Sequence, residues 1–284
     1  MIVITGASGR LGSRIVDRLL SRVPASTVGV SVTDVAKAAH LEARGVRVRH
    51  GDFTDPATLA HAFEGADRVL VVSAAIAGAG GASANIAAID AARAAGAGRI
   101  LYTSHQGASA DSLFPAMVTH ARTEEHLAGT GVPYLCLRNG FYASTLDPHL
   151  DAAVATGRLV APEDGPVSWT GHDDLADAAA ALLVGGEPGV TPPLTAPDML
   201  DLAAVAAILS GITGREITRV VTGDEEWVEA SVARGMPRAY AEFGLGVYRA
   251  ARRGEFAVTD PTLETLIGRP AESVRTRLER TVAG

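Results

Sequence analysis

The sequence predicts an α/β fold in which a doubly wound parallel sheet is followed by a smaller C-terminal α/β lobe. A short apolar strand at residues 2–4 runs into a glycine-rich turn and then into a helix. Strand-like and helix-like segments then alternate through the first half of the chain, which is typical of a Rossmann-type parallel sheet. The length of 284 residues exceeds one average domain. We expect residues 1–145 to form the sheet domain and residues 146–284 the smaller substrate lobe, with elements that can cross between the two.

The later elements are predicted from apolar runs and from the glycines that end them. Strands are expected at residues 27–32, 46–50, 68–73, 99–103 and 133–137. Helices are expected at residues 35–44, 56–63, 83–95 and 115–129, with Gly45, Gly65, Gly96 and Gly131 as C-terminal stops. Past Asn139 the alternation loosens, and we expect helices at 173–183 and 201–210, a loop at 185–193 and a surface helix at 272–280. Because parallel strands end at one edge of a sheet, ligands should bind at their carboxyl ends.

The turn after the first strand predicts a dinucleotide site. Gly6 allows a sharp turn, Gly9 admits a pyrophosphate against bare backbone, and Gly12 lets helix and strand pack closely. The following helix N-terminus supplies N–H groups for phosphate. The predicted cofactor-binding residues in this turn are Gly6, Ser8, Gly9, Arg10, Leu11 and Gly12.

The end of the second strand predicts cofactor preference. Thr33 and Asp34 lie where the adenosine ribose would bind, and a carboxylate there accepts ribose hydroxyls and repels a 2'-phosphate. We therefore expect NAD(P)(H) as the cofactor, with a preference for NAD. NADP stays an alternative because Arg10 in the glycine turn could reach a 2'-phosphate. Asp34 has the alternative role of a helix cap. Asp52 either accepts a hydrogen bond from adenine or forms a turn. The other predicted cofactor contacts are Phe53, Ser73, Ala74 and Ser104.

Composition limits the remaining function classes. The formal net charge is −7 and the pI is near 5.6, which disfavours nucleic-acid binding. No apolar stretch is long enough for a membrane helix, and no leader precedes the first strand, so a cytoplasmic protein is expected. The single cysteine, Cys136, lies in an apolar run and is expected to fill the core. The histidines show no zinc-site spacing, so we expect no metal.

Five motifs together resemble the NmrA-like atypical short-chain dehydrogenases/reductases, and most closely the bacterial NAD(P)H:quinone oxidoreductases of that family. The motifs are Thr5-Gly6-x-x-Gly9-x-x-Gly12, Gly51-Asp52, Tyr102-Thr103-Ser104, His120-x-x-Thr123-Glu124 and Leu137-Arg138-Asn139-Gly140-Phe141-Tyr142. The similarity extends to Leu266-Ile267-Gly268-Arg269-Pro270 near the C-terminus. The resemblance implies nicotinamide binding and reduction of a quinone. The chain departs from the family pattern at two positions. Thr33 stands where these reductases usually have an arginine after the second strand, and Glu125 stands where they have a lysine after the Thr-Glu pair.

Lys37 is the only lysine of the chain, and it follows the second strand on the adenosine side. A Tyr-x-x-x-Lys pair, in which the ammonium group lowers the pKa of the tyrosine, therefore cannot form at the nicotinamide. Hydride transfer to an already electrophilic quinone does not need that pair. His120 and Glu124, four residues apart on one helical face, are the catalytic candidates, with the carboxylate orienting and charging the imidazole; a surface ion pair is the alternative.

The substrate-binding candidates come from the ends of the fifth and sixth strands: His105, Asn139, Phe141 and Tyr142. Their aromatic rings suit a flat acceptor, although packing between lobes is the alternative. The leading hypothesis is thus an oxidoreductase that reduces a small conjugated acceptor such as a quinone. The alternative is a dinucleotide-sensing regulator that acts through a protein partner, and a homodimer is left open. A nucleotide-sugar epimerase or dehydratase is disfavoured by the missing Tyr-Lys pair.

Overall fold

The computed structural model describes residues 1–74 and 80–283. The strands are β1 (Ile2–Thr5), β2 (Val28–Val32), β3 (Arg47–His50), β4 (Arg68–Val71), β5 (Arg99–His105), β6 (Tyr134–Asn139), β7 (Phe141–Tyr142), β8 (Arg158–Pro162), β9 (Trp169–Thr170), β10 (Gly189–Val190) and β11 (Thr218–Thr222). The helices are α1 (Arg10–Leu20), α2 (Ala39–Glu42), α3 (Ala57–Phe63), α4 (Gly80–Ala94), α5 (Pro115–Gly129), α6 (Asp147–Thr156), α7 (His172–Gly185), α8 (Leu202–Thr213), α9 (Asp224–Ala233), α10 (Arg238–Arg252), α11 (Thr262–Ile267) and α12 (Val274–Ala283).

A parallel sheet of seven strands forms the centre, in the order β10-β6-β5-β4-β1-β2-β3. Strands β2 and β4 pair with β1 on its two sides, so the direction of winding reverses there. Both faces of the sheet are covered by helices, which explains why its central strands are continuous apolar runs rather than alternating patterns. The predicted fold class is confirmed.

Helix α1 covers one face of the sheet, and α7 packs against it from the second half of the chain. Leu11, Ile15 and Leu19 form the buried stripe of α1. Ion pairs run along the outer side of this helix pair, including Arg18 Nε to Asp177 at 2.7 Å and Arg14 Nε to Asp173 at 3.3 Å. The opposite face of the sheet is covered by α3, α4 and α5.

A second core is formed by residues of the C-terminal half together with Phe114 and Met117, at the start of α5, and Phe141 of β7. Two small parallel sheets, β8 with β11 and β7 with β9, frame this core. The C-terminal half also contributes to the large sheet, because β10 pairs with β6 and α7 packs on α1. The chain therefore crosses between the two cores more than once.

Helix ends match the sequence prediction, whereas two other segments differ from it. Gly45, Gly65, Gly96 and Gly131 all have positive φ, between 69° and 85°, and each follows a helix. The expected helix at 35–44 is instead a 3₁₀ turn, Val35–Ala38, followed by the single turn α2. Its buried residues, Ala38 and Leu41, are three apart, a spacing that the tighter turn satisfies. The expected loop at 185–193 contains β10, which closes the sheet edge beside β6.

The chain leaves the sheet at the end of β4 through three hydrogen bonds from backbone N–H groups to buried side chains. Val72 N–H donates to Thr5 Oγ1 at 2.8 Å, Ser73 N–H to Thr103 Oγ1 at 2.8 Å, and Ala74 N–H to Asn85 Oδ1 at 2.9 Å. Because these donors are paired with side chains instead of a neighbouring strand, residues 72–74 open away from the sheet. They form one wall of the candidate site.

Among the described residues, no helix has both the length and the apolar character needed to cross a membrane.

We expect Gly12→Ala to destabilise the protein by about 3 kcal/mol, because overpacking cannot be relieved at this backbone contact. A Cβ on Gly12 would lie 2.1 Å from the carbonyl oxygen of Gly6, whereas one on Gly211, in α8, meets nothing within 4 Å. The matched control Gly211→Ala should be neutral or stabilising by up to about 1 kcal/mol. Urea denaturation of both variants measures the difference, and equal stability would contradict the packing role of Gly12.

Candidate active site

The glycine turn brings the start of α1 against the end of β1. Gly6 has φ +61°, and its N–H donates to Ser31 O of β2 at 3.2 Å. Gly9 N–H donates back to Gly6 O at 2.9 Å, which closes the turn. Gly9 is the N-cap of α1, and within the described residues no side chain forms a capping hydrogen bond there. The helix N-terminus is thus presented to the cleft as bare backbone.

A cavity of about 340 Å³, the β2-side cavity, lies over the carboxyl ends of β1, β2 and β3. Its lining includes eight of the predicted cofactor residues: Gly6, Ser8, Gly9, Thr33, Asp52, Phe53, Ser73 and Ala74. The half-buried Phe53 supplies an apolar surface at this edge, and the exposed Thr54 adds a hydroxyl group. The cavity therefore combines a flat apolar contact with hydrogen-bonding groups, as a nucleoside requires.

The two acidic residues near this cavity have local structural roles. Asp34 Oδ1 accepts a hydrogen bond from Ala36 N–H at 3.0 Å, so the helix-cap alternative describes its contact. Its other oxygen lies 3.9 Å from Lys37 Nζ. Asp52 Oδ1 accepts from the N–H and the hydroxyl of Thr54, at 2.8 and 2.7 Å, and these bonds lower the pKa of Asp52. Asp52 thus forms a turn while still lining the cavity.

A second cavity of about 450 Å³, the α5-side cavity, continues from the first over the glycine turn. Both cavities are lined by Gly6, Gly9, Val72, Ser73 and Ala74, so they form one continuous cleft. The remaining walls come from α1, α5 and the C-terminal half: Arg10, Leu11, Gly12, Ala116, His120, Tyr142, His172, Tyr240 and Phe243. Arg10 lies 3.6 Å from Asp147, so it faces this cavity rather than the ribose end at Thr33.

His120 is held by a buried chain of hydrogen bonds that determines which of its nitrogens carries the proton. The oxygen is the only acceptor of the Asn85 amide, so the bond from Ala74 N–H to Oδ1 orients the amide and directs Nδ2 to Tyr102 Oη at 3.1 Å. Tyr102 Oη lies 2.8 Å from His120 Nδ1. Since Tyr102 Oη accepts from Asn85, it donates to His120 Nδ1, and the imidazole proton is placed on Nε2.

Burial keeps this imidazole neutral. It lowers the pKa of His120 to about 4, and the charge of Glu124 offsets only part of that effect. The phenol of Tyr102 is fully buried, which raises its pKa above the usual value and keeps it protonated. At neutral pH the α5-side cavity is therefore lined by a neutral imidazole with its N–H on Nε2.

The expected pairing of Glu124 with His120 is wrong. Glu124 instead forms a two-point ion pair with Arg138 of β6, with distances of 3.1 Å from Nε and 2.7 Å from Nη2. It also accepts the Ser104 hydroxyl at 2.6 Å. A guanidinium group offers two parallel donors that fit a carboxylate, so it outcompetes a neutral imidazole for the same oxygens. Ser104 is 2 % exposed and its hydroxyl faces Glu124 rather than the cleft.

The four predicted substrate residues are distributed over both cores. Tyr142 lines the α5-side cavity, and its ring lies 4.4 Å from that of His172. His105 is buried beside His120, with ring centroids 6.1 Å apart, and its Nδ1 accepts from Gly107 N–H. Asn139 is 1 % exposed at the end of β6. Phe141 points the opposite way from Tyr142 and packs on Trp169 in the second core.

Sequence reasoning missed three residues that line the α5-side cavity. His172 is the first residue of α7, and burial lowers its pKa to about 4. Tyr240 and Phe243, on α10, form the outer wall. No motif marks these two residues, and only the folding of the C-terminal half over the glycine turn brings them there. No group of three or more His, Cys, Asp or Glu side chains suitable for a metal lies in the part of the chain that the structure describes.

Comparison with known proteins agrees with this geometry. A family model described as NAD(P)H-binding matches residues 6–184. Quinone oxidoreductase 2 of Escherichia coli is 34 % identical over 96 % of this chain and 97 % of its own length. An NmrA-like family domain-containing oxidoreductase of Aspergillus flavus is 27 % identical over 96 % and 93 % of the two chains. The crystal structure of the Citrobacter triphenylmethane reductase complexed with NADP(H) superposes with a TM-score of 0.92 at 32 % identity and covers 99 % of each chain.

The buried histidines predict a stability that falls in mild acid. The pKa values of His105, His120, His149 and His172 are all lowered by burial, so between about pH 6.5 and pH 4 the unfolded chain binds more protons than the native one. The free energy of unfolding should therefore decrease as the pH falls through this window, by at most about 1.4 kcal/mol per unit for each histidine. Urea denaturation at several pH values measures the slope.

His120→Gln should reduce that slope, because glutamine does not titrate. The matched control His40→Gln removes an exposed histidine of α2 and should leave the slope as it is. A slope that does not change in His120→Gln would contradict the neutral buried imidazole.

Proposed function

Because the chain belongs to the NAD(P)H-binding family of NmrA-like oxidoreductases, we propose that it reduces a quinone or a similarly conjugated acceptor with NAD(P)H. The observation that carries the proposal is the neutral N–H of His120, oriented by Tyr102 and Asn85 towards the α5-side cavity. A donor at this place is positioned to bind an acceptor oxygen. Two of the relatives are named for a quinone and for triphenylmethane compounds, which are both conjugated.

The residues present fit a dinucleotide. The glycine turn and the N-terminus of α1 would bind the pyrophosphate, since the N-cap of this helix is Gly9 and no described side chain forms a capping hydrogen bond there. The β2-side cavity would bind the adenosine, with Thr33, Asp52 and Phe53 in its lining and Asp34 next to Thr33 in the chain. The α5-side cavity would then contain the nicotinamide, between the glycine turn, Ser73 and Ala74 on one side and His120 on the other.

The bound nicotinamide supplies the hydride, and the protein supplies position and polarity. Tyr142, Tyr240 and Phe243 offer flat apolar surface for an acceptor ring, which also excludes water. His120 donates a hydrogen bond from Nε2 to the acceptor oxygen and stabilises the negative charge that develops on it. Because the pKa of His120 is about 4, the imidazole acts as a hydrogen-bond donor rather than as an acid at neutral pH, and the product oxygen takes its proton from solvent.

Glu124 has a different role from that expected of a catalytic carboxylate. Its contacts with Arg138 and Ser104 join α5 to the ends of β5 and β6. We propose that Glu124 positions α5, and thereby His120, without contacting the acceptor. The single lysine, Lys37, lies on the β2 side near Asp34, so the acceptor oxygen receives no ammonium group.

We expect the purified protein to bind NADH or NADPH and to oxidise it when a quinone such as menadione is added. His120→Ala should lower kcat by about 100-fold, which is typical of the loss of one positioned donor.

Gly9→Val should abolish cofactor binding, because its side chain would fill the pyrophosphate space. Calorimetry measures binding and the nicotinamide absorbance measures turnover. Binding without turnover in the wild type would overturn the reductase and favour a sensor.

Tyr102→Phe tests the positioning of the proton on His120. Loss of the Tyr102 hydroxyl should lower kcat by about tenfold, because both tautomers of His120 then become accessible. Tyr134→Phe, on the neighbouring strand, should leave kcat unchanged. Two-bond ¹H–¹⁵N spectra of the histidines give the second measurement. The Nε2–H tautomer of His120 should dominate in the wild type and become mixed in Tyr102→Phe; a wild-type Nδ1–H tautomer would contradict the assignment.

Asp34→Asn tests the lean towards NAD. Asparagine can still accept the hydrogen bond from Ala36 N–H, so the cap is kept while the charge is lost. The affinity ratio of NADPH to NADH should then rise about fivefold if the carboxylate repels a 2'-phosphate. Glu42→Gln, an exposed change on α2, is the matched control. An unchanged ratio in Asp34→Asn would leave Asp34 as a cap alone.

A further inference from the structure

A third cavity, here called the aromatic cavity, lies in the second core and has a volume of about 230 Å³. Among the described residues it shares no lining residue with either half of the cofactor cleft. Phe114 forms the partition, because its ring lies 5.0 Å from that of Phe243, which lines the cleft. The proposed reduction assigns no role to this cavity.

Five aromatic side chains line this cavity together with aliphatic residues: Phe114, Phe141, Trp169, Trp227 and Tyr248. Phe141 and Trp169 meet edge to face with centroids 5.4 Å apart, and Trp227 and Tyr248 meet at the same distance at 69°. The indole N–H of Trp169 donates to Leu200 O at 2.9 Å, so it is satisfied within the protein. Rings in these orientations present both faces and edges to the interior, which suits another aromatic ring.

One polar pair lies in this wall and is uncharged. Tyr248 Oη is 3.2 Å from His149 Nε2. Burial raises the pKa of Tyr248 and lowers the pKa of His149, so both groups are neutral at pH 7. Asp164 also lines the cavity, but its carboxylate is already paired with Arg219 at 3.0 Å and accepts from Leu202 N–H at 2.7 Å. An entering charged group would find no uncompensated partner among these residues, whereas a hydroxyl or carbonyl would find a hydrogen-bonding pair.

The volume suits a small ring system. An apolar cavity of about 150 Å³ is enough to bind benzene, so this larger one accommodates one ring or two fused rings. Among its lining residues, Thr145 is exposed and His149 is half-buried. Gly244 of α10 leaves the interior open, because a Cβ there would meet only Trp227 Cη2, at 3.3 Å.

We propose that the aromatic cavity is a second ligand site, which binds a neutral aromatic molecule carrying one hydroxyl or carbonyl group, hydrogen-bonded to the His149–Tyr248 pair. The ligand lies behind the Phe114 partition and is bound independently of the nicotinamide cofactor. The site therefore selects for ring size and for a single polar group rather than for charge.

The two tryptophans of the chain, Trp169 and Trp227, both line this cavity, so indole fluorescence reports on it directly. We would titrate the protein with 2-naphthol and follow tryptophan quenching, with calorimetry as the second readout. The expected result is saturable binding of one molecule, with the same affinity in the presence of saturating NADP⁺. Loss of binding when NADP⁺ is added would place the ligand in the cofactor cleft and overturn the proposal.

Gly244→Leu fills the cavity without removing a packing residue and should weaken 2-naphthol binding by more than tenfold. The matched control Gly211→Leu changes an exposed glycine of α8 and should bind as the wild type does. Cofactor binding should be the same in both variants, which shows that they are folded. Equal 2-naphthol affinity in Gly244→Leu and the wild type would overturn the proposal.

Tyr248→Phe tests the polar contact. It should weaken 2-naphthol binding by about three- to tenfold, the usual effect of one hydrogen bond, and leave the affinity for naphthalene unchanged. A variant that weakens both ligands equally, or neither, would contradict the hydrogen bond to Tyr248.

Discussion

The close contact between Gly6 and Gly12 is the constraint on which the rest of the molecule depends. A Cβ on Gly12 would lie 2.1 Å from the carbonyl oxygen of Gly6, so only glycine lets α1 begin this near to β1. That proximity directs the N-terminus of α1 at the cleft and the apolar stripe of α1 onto the sheet. It also sets the surface against which α7 packs. One backbone contact thus positions both the N-terminus of α1 at the cleft and the junction of the two halves of the chain.

Two separate sets of polar contacts below the cleft hold the candidate site in place. The chain from Ala74 through Asn85 and Tyr102 to His120 joins the end of β4 to α5, and it is buried apart from its two ends. In such surroundings each donor must meet an acceptor, so the hydrogen positions are determined jointly. Glu124 and Arg138 form a separate charged contact from α5 to β6. The position of His120 and the placement of its proton therefore depend on different residues: Glu124 and Arg138 hold α5, and Asn85 and Tyr102 orient the imidazole proton.

The sheet and the cofactor turn could be predicted because their signals are local. The glycine spacing, the apolar strands and the glycines that end helices each act within a few residues, and the structure reproduces them. The contacts of the candidate site were less predictable. Glu124 faces Arg138 because β6 lies beside β5, a neighbour relation that helix spacing does not contain. Tyr240 and Phe243 reach the cleft only through the folding of α9 and α10, whose sequences carry no motif. Phe141 and Tyr142 separate because neighbouring strand residues point to opposite sides.

The crossing of the chain between the two cores has a consequence during synthesis on the ribosome. When residues 1–145 have emerged, β6 is still an open strand edge, and the side of α1 that receives α7 is uncovered. Helix α7 covers this side of α1, and β10, which ends at Val190, pairs with β6. The nascent chain must therefore carry an exposed edge and an apolar helix face for about 45 further residues, a few seconds of translation at the usual rate. A fragment that ends near residue 145 would keep both surfaces exposed, and an exposed strand edge is a template for pairing with another chain.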